Sequence, residues 1–272
     1  MDKTAIEQIQ LTQVATVLND RLQTMGPTLI APSSFEIHDL EALAPCRNRF
    51  RGTMRTASVA DFISYLSDHD DDNQSSDTFI DGECMSANCI HNIGDRHDPG
   101  HCDHKTMLNL EKTAAYKAVL DIKSRRAEQI TLSNFLEDWD QIISCANSNG
   151  EKLQNSIVVN AVRTITIATA REINNTIGDF ENSASAIEKV EARNANNLPA
   201  YIHVTLKPYA DLQERTISLR CSLLTGGSEP VFSLRIIKEE ELDEELVNEF
   251  KNLIQEKVKP LNTNVYIGRF KR

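Results

Sequence analysis

Seven of the chain's thirteen Cys and His residues lie between positions 84 and 104: Cys84, Cys89, His91, His97, His101, Cys102 and His104. The 272 residues hold six Cys and seven His, so an even scatter would place about one of them there. Imidazole and thiolate are ligands that Zn²⁺ favours. The densest stretch is HDPGHCDH (97–104). His97, His101, Cys102 and His104 are therefore the candidate metal ligands, with Zn²⁺ the candidate ion. Asp98 and Asp103 would ligate directly or orient an imidazole through its second nitrogen. The spacing argues less strongly than the count. No CxxC pair occurs, and Pro99-Gly100 prevents the helix that would align His97 with His101. The plainer account places these residues at turns and strand ends, bonded to backbone, with no cofactor.

Other chemistry is sparse. There is no Gly-rich phosphate loop, no GxSxG nucleophile elbow and no HExxH helix. His38-Asp39, His69-Asp70 and His97-Asp98 supply the dipeptide of a phosphohydrolase, but not on helices. Asp68, Asp70, Asp71 and Asp72 could serve a metal-dependent nuclease, although acidic loops are usually solvated faces. No catalytic residue is singled out. Lys plus Arg is 29 and Asp plus Glu is 40, so the net charge is −11. That balance argues against general nucleic-acid binding, which needs cations to neutralise phosphates. One basic exception stands out. RNRFRGTMR (47–55) carries Arg47, Arg49, Arg51 and Arg55, the candidate contacts for single-stranded DNA. Its plain reading is a solvated edge strand.

The elements that would position these residues follow from periodicity. Residues 4–23 read as an amphipathic helix with Leu11, Val14, Leu18 and Leu22 at three- and four-residue spacing. MGPTLIAPSS (25–34) breaks it. FRGTMRT (50–56) reads as a strand, and Ser58 as the N-cap of a helix through Leu66. TFI (78–80) and CMSANCIHN (84–92) flank Asp81-Gly82, a hairpin signal because both residues tolerate positive φ. Met85, Ala87, Cys89 and His91 then share one face. GDRHDPGHCD (94–103) is a loop, HKTMLNL (104–110) a strand and TAAYKAVLDI (113–122) a helix. Thr131 or Ser133 is the expected cap of the next helix, with Leu132, Phe135, Leu136, Trp139, Ile142 and Ile143 as its stripe. A long helix is expected over 151–177, on the spacing of Leu153, Ile157, Ala161, Ile165, Ala168 and Glu172. Residues 178–199 read as a linker or mobile loop.

From residue 200 the pattern is clearest. YIHVTLKPY (201–209), TISLRCSLLT (216–225) and VFSLRII (231–237) alternate as strands, with TGGSEP (225–230) as a turn. KEEELDEELVNEFKNLIQEKVK (238–259) is an amphipathic helix striped by Leu242, Leu246, Phe250, Ile254 and Val258. Its first turns are acidic and its last carries Lys, as the helix dipole favours. NVYIGRF (264–270) returns as a strand. The fold class is thus α+β, with mixed or antiparallel sheets packed by amphipathic helices and a C-terminal β-β-β-α-β unit over one antiparallel sheet face. The expected organisation is an N-terminal helix and linker (1–34), an α+β region (35–177), the linker (178–199) and the C-terminal unit (200–272), with 35–272 forming one body.

PGHCDHKTMLNLEKTAAYKAVL (99–120), with FLEDW (135–139), resembles the YfdQ-like family of tailed bacteriophages and prophages, a domain of unknown function. FRGTMRTASVADFISYLSDH (50–69), LKPYADLQERTISLRCSLLTG (206–226) and VYIGRF (265–270) are similar to the same family. The resemblance spans about residue 50 onward and implies a phage or prophage gene acting in the bacterial cytoplasm. It implies no catalytic residues. The expected function is that of a non-enzymatic accessory protein that forms a homo-oligomer or binds a host protein, inhibiting a defence system or modulating DNA metabolism. The alternatives are a recombination-associated single-stranded DNA binder and a metal-dependent hydrolase or nuclease. No apolar run reaches the roughly 20 residues of a membrane span, no secretory signal is recognised at the start, and Cys is not expected to form a disulfide framework.

Overall fold

The computed structural model describes residues 3–22, 41, 44–166, 197–224 and 230–271. The chain divides into two compact units, residues 1–50 and residues 51–272. The first contains α1 (Lys3–Leu22), the helix expected from its periodicity. Its side chains Ile6, Ile9, Leu11, Val14 and Val17 are exposed, and Ala15 is buried.

The second unit holds two sheets. The first has five strands: β1 (Gly52–Thr56), β2 (Ser76–Asp81), β3 (Ser86–Ile90), β4 (His104–Asn109) and β11 (Thr263–Ile267). Their order is β1-β4-β3-β2-β11, with β1 parallel to β4, β11 parallel to β2, and the central pairs antiparallel. The second has six: β5 (Arg126–Glu128), β6 (Ile143–Ala146), β7 (Lys152–Leu153), β8 (Tyr201–Leu206), β9 (Arg215–Leu224) and β10 (Val231–Ile236). Its order is β5-β10-β9-β8-β6-β7, antiparallel throughout. The α+β class with mixed and antiparallel sheets is therefore the observed one.

Helix α2 (Val59–Asp68) follows β1 and packs on β4. Ser58 caps it, its side chain accepting from the Asp61 N–H at 3.2 Å. Phe62, wholly buried, heads its apolar face with Val59 and Leu66. Helices α3 (Ala114–Ser124), α4 (Gln129–Asp138) and α5 (Asn155–Thr164) serve the second sheet. Helix α6 (Glu239–Val258) buries Leu246, Phe250, Ile254 and Val258 on one side, as the four-residue spacing requires. One continuous core draws on the inner faces of both sheets, including Ile80, Ala87 and Leu108 from the first and Ile202, Leu219 and Phe232 from the second.

Several expectations need correction. The β-β-β-α-β order is present, but its last strand leaves the β8–β10 sheet and joins β2 of the other. Alternation specifies which face of a strand is buried and not which neighbour it takes. The β2–β3 hairpin exists with a longer turn, residues 82–85, and its left-handed residue is Met85 rather than Asp81 or Gly82. Gly82 is needed for room: a Cβ there would lie 2.4 Å from Val247 Cγ1 of α6. Helix α4 starts at Gln129 without a side-chain cap, so neither Thr131 nor Ser133 caps it. The chain enters it directly from β5, whose pairing with β10 fixes the entry. Trp139 closes the helix and Ile143 opens β6, so the apolar stripe is shared by two elements. Over residues 151–166, the described part of the expected 151–177 helix, stand β7 and the ten-residue α5, which ends where Ile165 turns extended at ψ 135°. Gln129 Nε2 then donates to the Val162 and Ile165 carbonyls at 2.9 and 2.8 Å, satisfying that helix end. Residues 25–34, the 167–177 part of the long helix, residues 178–196 of the expected linker and the 225–229 turn lie outside the described residues.

Phe250 is fully buried and Ile130 on α4 is 70% exposed. Phe250→Ala should cost about 3–5 kcal/mol by transfer and cavity terms. Ile130→Ala should stay within about 0.5 kcal/mol. Urea unfolding of both variants checks this, and equal losses would contradict the assignment of the core.

Candidate functional site

The chemistry-bearing residues gather where the C-terminal end of α2 meets the inner face of the first sheet. Alternation along β4 and beyond β3 puts His104 and His91 on the inner face with Thr106 and Cys89. Both histidines are buried, at 7% and 8% exposure. Their rings stack with centroids 4.2 Å apart. Helix α2 adds Tyr65 and, one turn on, its capping residue His69, stacked on each other at 4.1 Å. His69 lies 5.0 Å from His104 and 5.8 Å from His91, ring to ring. The result is a cluster of three imidazoles and one phenol.

Short-range hydrogen bonds link its members to one another and to Thr106. His91 Nε2 and Thr106 Oγ1 are 2.7 Å apart. His69 Nδ1 lies 3.0 Å from the Tyr65 carbonyl, and His104 Nε2 lies 3.4 Å from the Tyr65 hydroxyl. Burial, with help from His104 and His69, pushes the His91 pKa down to about 4. Burial and His69 also lower that of His104, against the opposing pull of Asp103. At neutral pH both rings are therefore uncharged, and a second proton among closely packed imidazoles is disfavoured. The buried Cys89 beside Thr78 has its thiol pKa raised by burial, which removes thiolate character.

The 94–103 loop is held by bonds within itself and to the residues that flank it. Asp95 Oδ1 accepts from the His97 and Asp98 N–H groups at 2.6 and 2.7 Å. The Gly100 N–H donates to the Ile93 carbonyl at 2.8 Å and the Cys102 N–H to that of Asn92 at 3.1 Å. Asn92 spans the loop's base, donating to Asp103 Oδ1 at 2.7 Å and accepting from the His104 N–H at 3.0 Å. A Cβ at Gly100 would sit 2.1 Å from the Asn92 carbonyl oxygen, so this close crossing needs glycine.

Of the four candidate ligands, only His104 belongs to the imidazole cluster. His97 and His101 are exposed on the loop. Cys102 is half-buried at φ 52°, with its thiol 3.8 Å from the Gly100 carbonyl. Among the described residues, no group of three His, Cys, Asp or Glu side chains is arranged to hold a metal ion. Sequence reasoning missed the joining of His69 to His91 and His104; the one available signal was its helical offset of four from Tyr65. All six cysteines are free. The arginine candidates split between the units. Arg47 and Arg49 are exposed in the first; in the second, Arg51 is half-buried just before β1 and Arg55 is exposed on that edge strand. A groove of about 710 Å³ between α4, α5 and β7 is lined by Glu137, Asp140, Lys152, Asn155 and Asn160 among others, and by neither His nor Cys. Among the described residues, no helix is long and apolar enough to cross a membrane.

A family model described as "Uncharacterized conserved protein (DUF2303)" matches residues 2–270. No curated protein and no solved structure matches the chain.

The lowered pKa of His91 has a consequence for stability. Between about pH 6.5 and pH 4 an unfolded His91 takes up a proton that the folded one refuses. Stability is then complete above about 6.5 and lost as pH falls toward 4, by on the order of 3 kcal/mol for His91. Urea midpoints should fall over that window. His91→Gln, which keeps a hydrogen-bonding side chain beside Thr106, should flatten the fall; an unchanged pH dependence would contradict the role given to His91.

Proposed function

The chain belongs to the uncharacterized conserved protein family DUF2303, and on that footing we propose that it is a phage- or prophage-encoded accessory protein that works by binding rather than by catalysis. It assembles with itself or engages a host protein in the bacterial cytoplasm, restraining a defence system or modulating DNA metabolism. The observation that carries this reading is a group of apolar side chains displayed at one edge of the first sheet. Tyr266 is 48% exposed and Phe270 39%, and Ile267, 54% exposed, adds apolar surface on the opposite face of the same edge. Phe79 stacks against both aromatic neighbours, with centroids 5.4 Å from Tyr266 and 5.0 Å from Phe270. Clustered apolar surface of this kind marks interaction sites, whereas singly scattered apolar residues need no explanation.

The polar interior supports the same reading. The side chains best suited to acid–base or nucleophilic work, His91, His104 and Cys89, are buried with raised or lowered pKa values that favour their neutral forms. Thr106 Oγ1, the hydroxyl 2.7 Å from His91 Nε2, is itself fully buried, away from any substrate. The resemblance of residues 50–69, 99–120 and 206–226 to phage and prophage proteins supports the cellular setting.

Native mass spectrometry of the purified full chain tests this directly. The expected result is a stable oligomer or a stoichiometric complex with a bacterial protein. A monomer without any partner, or hydrolysis of nucleic acid or nucleotides with Mn²⁺ or Zn²⁺ that His91→Gln abolishes, would overturn it.

A further inference from the structure

We propose that the outer edge of β11 pairs with the β11 edge of a second copy of this chain, antiparallel about a two-fold axis at Tyr266. This rests on the binding reading above and names its partner and contact. Among the described residues β11 has a strand neighbour on one side only. Its parallel register with β2 points alternate backbone groups in opposite directions. The Asn262 carbonyl accepts from the Ser76 N–H, and the Gly268 N–H donates to the Ile80 carbonyl. The even-numbered residues of β11 therefore face β2, and Val265 and Ile267 point their N–H and C=O groups away from it. Thr263 also points away, but its N–H donates to the Leu261 carbonyl at 2.9 Å. The edge left over is short and bounded.

A two-fold axis at Tyr266 uses that edge fully. Val265 of each copy exchanges hydrogen bonds with Ile267 of the other. Tyr266 meets its own counterpart at the non-hydrogen-bonded position, where facing side chains come closest. Phe79 and Phe270 flank it on the same surface, so the aromatic groups of two copies merge into one cluster.

Charge selects a second copy as the occupant. At the start of β11 the Asn262 N–H donates to the Asp70 carboxylate at 3.0 Å, and the Asn262 side chain donates to the Asp71 carbonyl at 2.9 Å. These bonds hold the acidic loop Asp70–Asp72 at that end. Beyond the other end stand Arg269, paired with Asp81 and Glu83, and the exposed Lys271. Antiparallel pairing brings the Lys271 end of each copy to the acidic end of the other, and the two-fold axis makes the contact twice. A parallel pairing would set like ends together. Two copies joined this way share one continuous sheet with both inner β11 edges covered.

Analytical ultracentrifugation of the full chain over a wide concentration range tests the proposal. The wild type should dimerise, and more weakly as salt screens the paired ends. Val265→Pro removes an outward N–H while leaving every bond to β2. Ile267→Lys places a charge on the exposed edge without touching the core. Each should weaken the dimer at least about tenfold, with circular dichroism unchanged. A monomeric wild type overturns the proposal, and if it also captures no partner the binding reading falls with it. A dimer that persists unweakened in folded Ile267→Lys overturns the β11 contact alone and leaves the binding reading standing.

Discussion

The pairing of β11 with β2 is the constraint on which the second unit depends. Helix α6 runs from β10 in one sheet to β11 in the other. Its stripe of Leu246, Phe250, Ile254 and Val258 can be buried only if the strand after it docks where β2 waits. Thr78 Oγ1 and Thr263 Oγ1, 2.9 Å apart, mark the point of contact, and Thr263 Oγ1 also donates to the Ser76 carbonyl at 3.1 Å. The helix is further tied at its flank, where Arg215 pairs with Glu249 and Lys123 with Glu239. Without that strand pair the two sheets would share a core but not a frame.

Where one face of an element is buried and the other wet, the pattern could be read directly. The stripe of α6, the alternation of β9 and β10 and the Ser58 cap of α2 are such cases. What escaped reading was decided by distant partners. β5 and β7 are three and two residues long, too short to carry a period, and exist because β10 and β6 pair with them. Helix α4 lacks the polar cap that would announce its start, since the preceding strand already fixes the chain. The destination of β11 was hidden for the same reason: alternation names a face, and only the fold names a neighbour.

The candidate site divides along that line too. The concentration of Cys and His in residues 84–104 is real, and alternation correctly put Met85, Ala87, Cys89 and His91 on one buried face. Spacing could not show that His69 would arrive from α2, nor that Asn92 and Asp95 would satisfy the loop's backbone. Buried polar groups must find partners, and here Thr106, Tyr65 and the imidazoles find one another. His91, His104 and Thr106 are thereby committed to the interior, while Tyr266 and Phe270 display apolar surface at the sheet's edge.

The parallel strand pair also carries a temporal meaning. Thr78 and Thr263 are 185 positions apart. During synthesis β2 therefore emerges long before its outer neighbour exists, and contacts so distant in sequence form late. Until then the edge of β2, with Phe79 beside it, stands uncovered to chaperones, proteases and like chains. Until β11 is made, β2 is the outermost strand of the first sheet, and a chain that stops short of β11 presents that unpaired edge in its place.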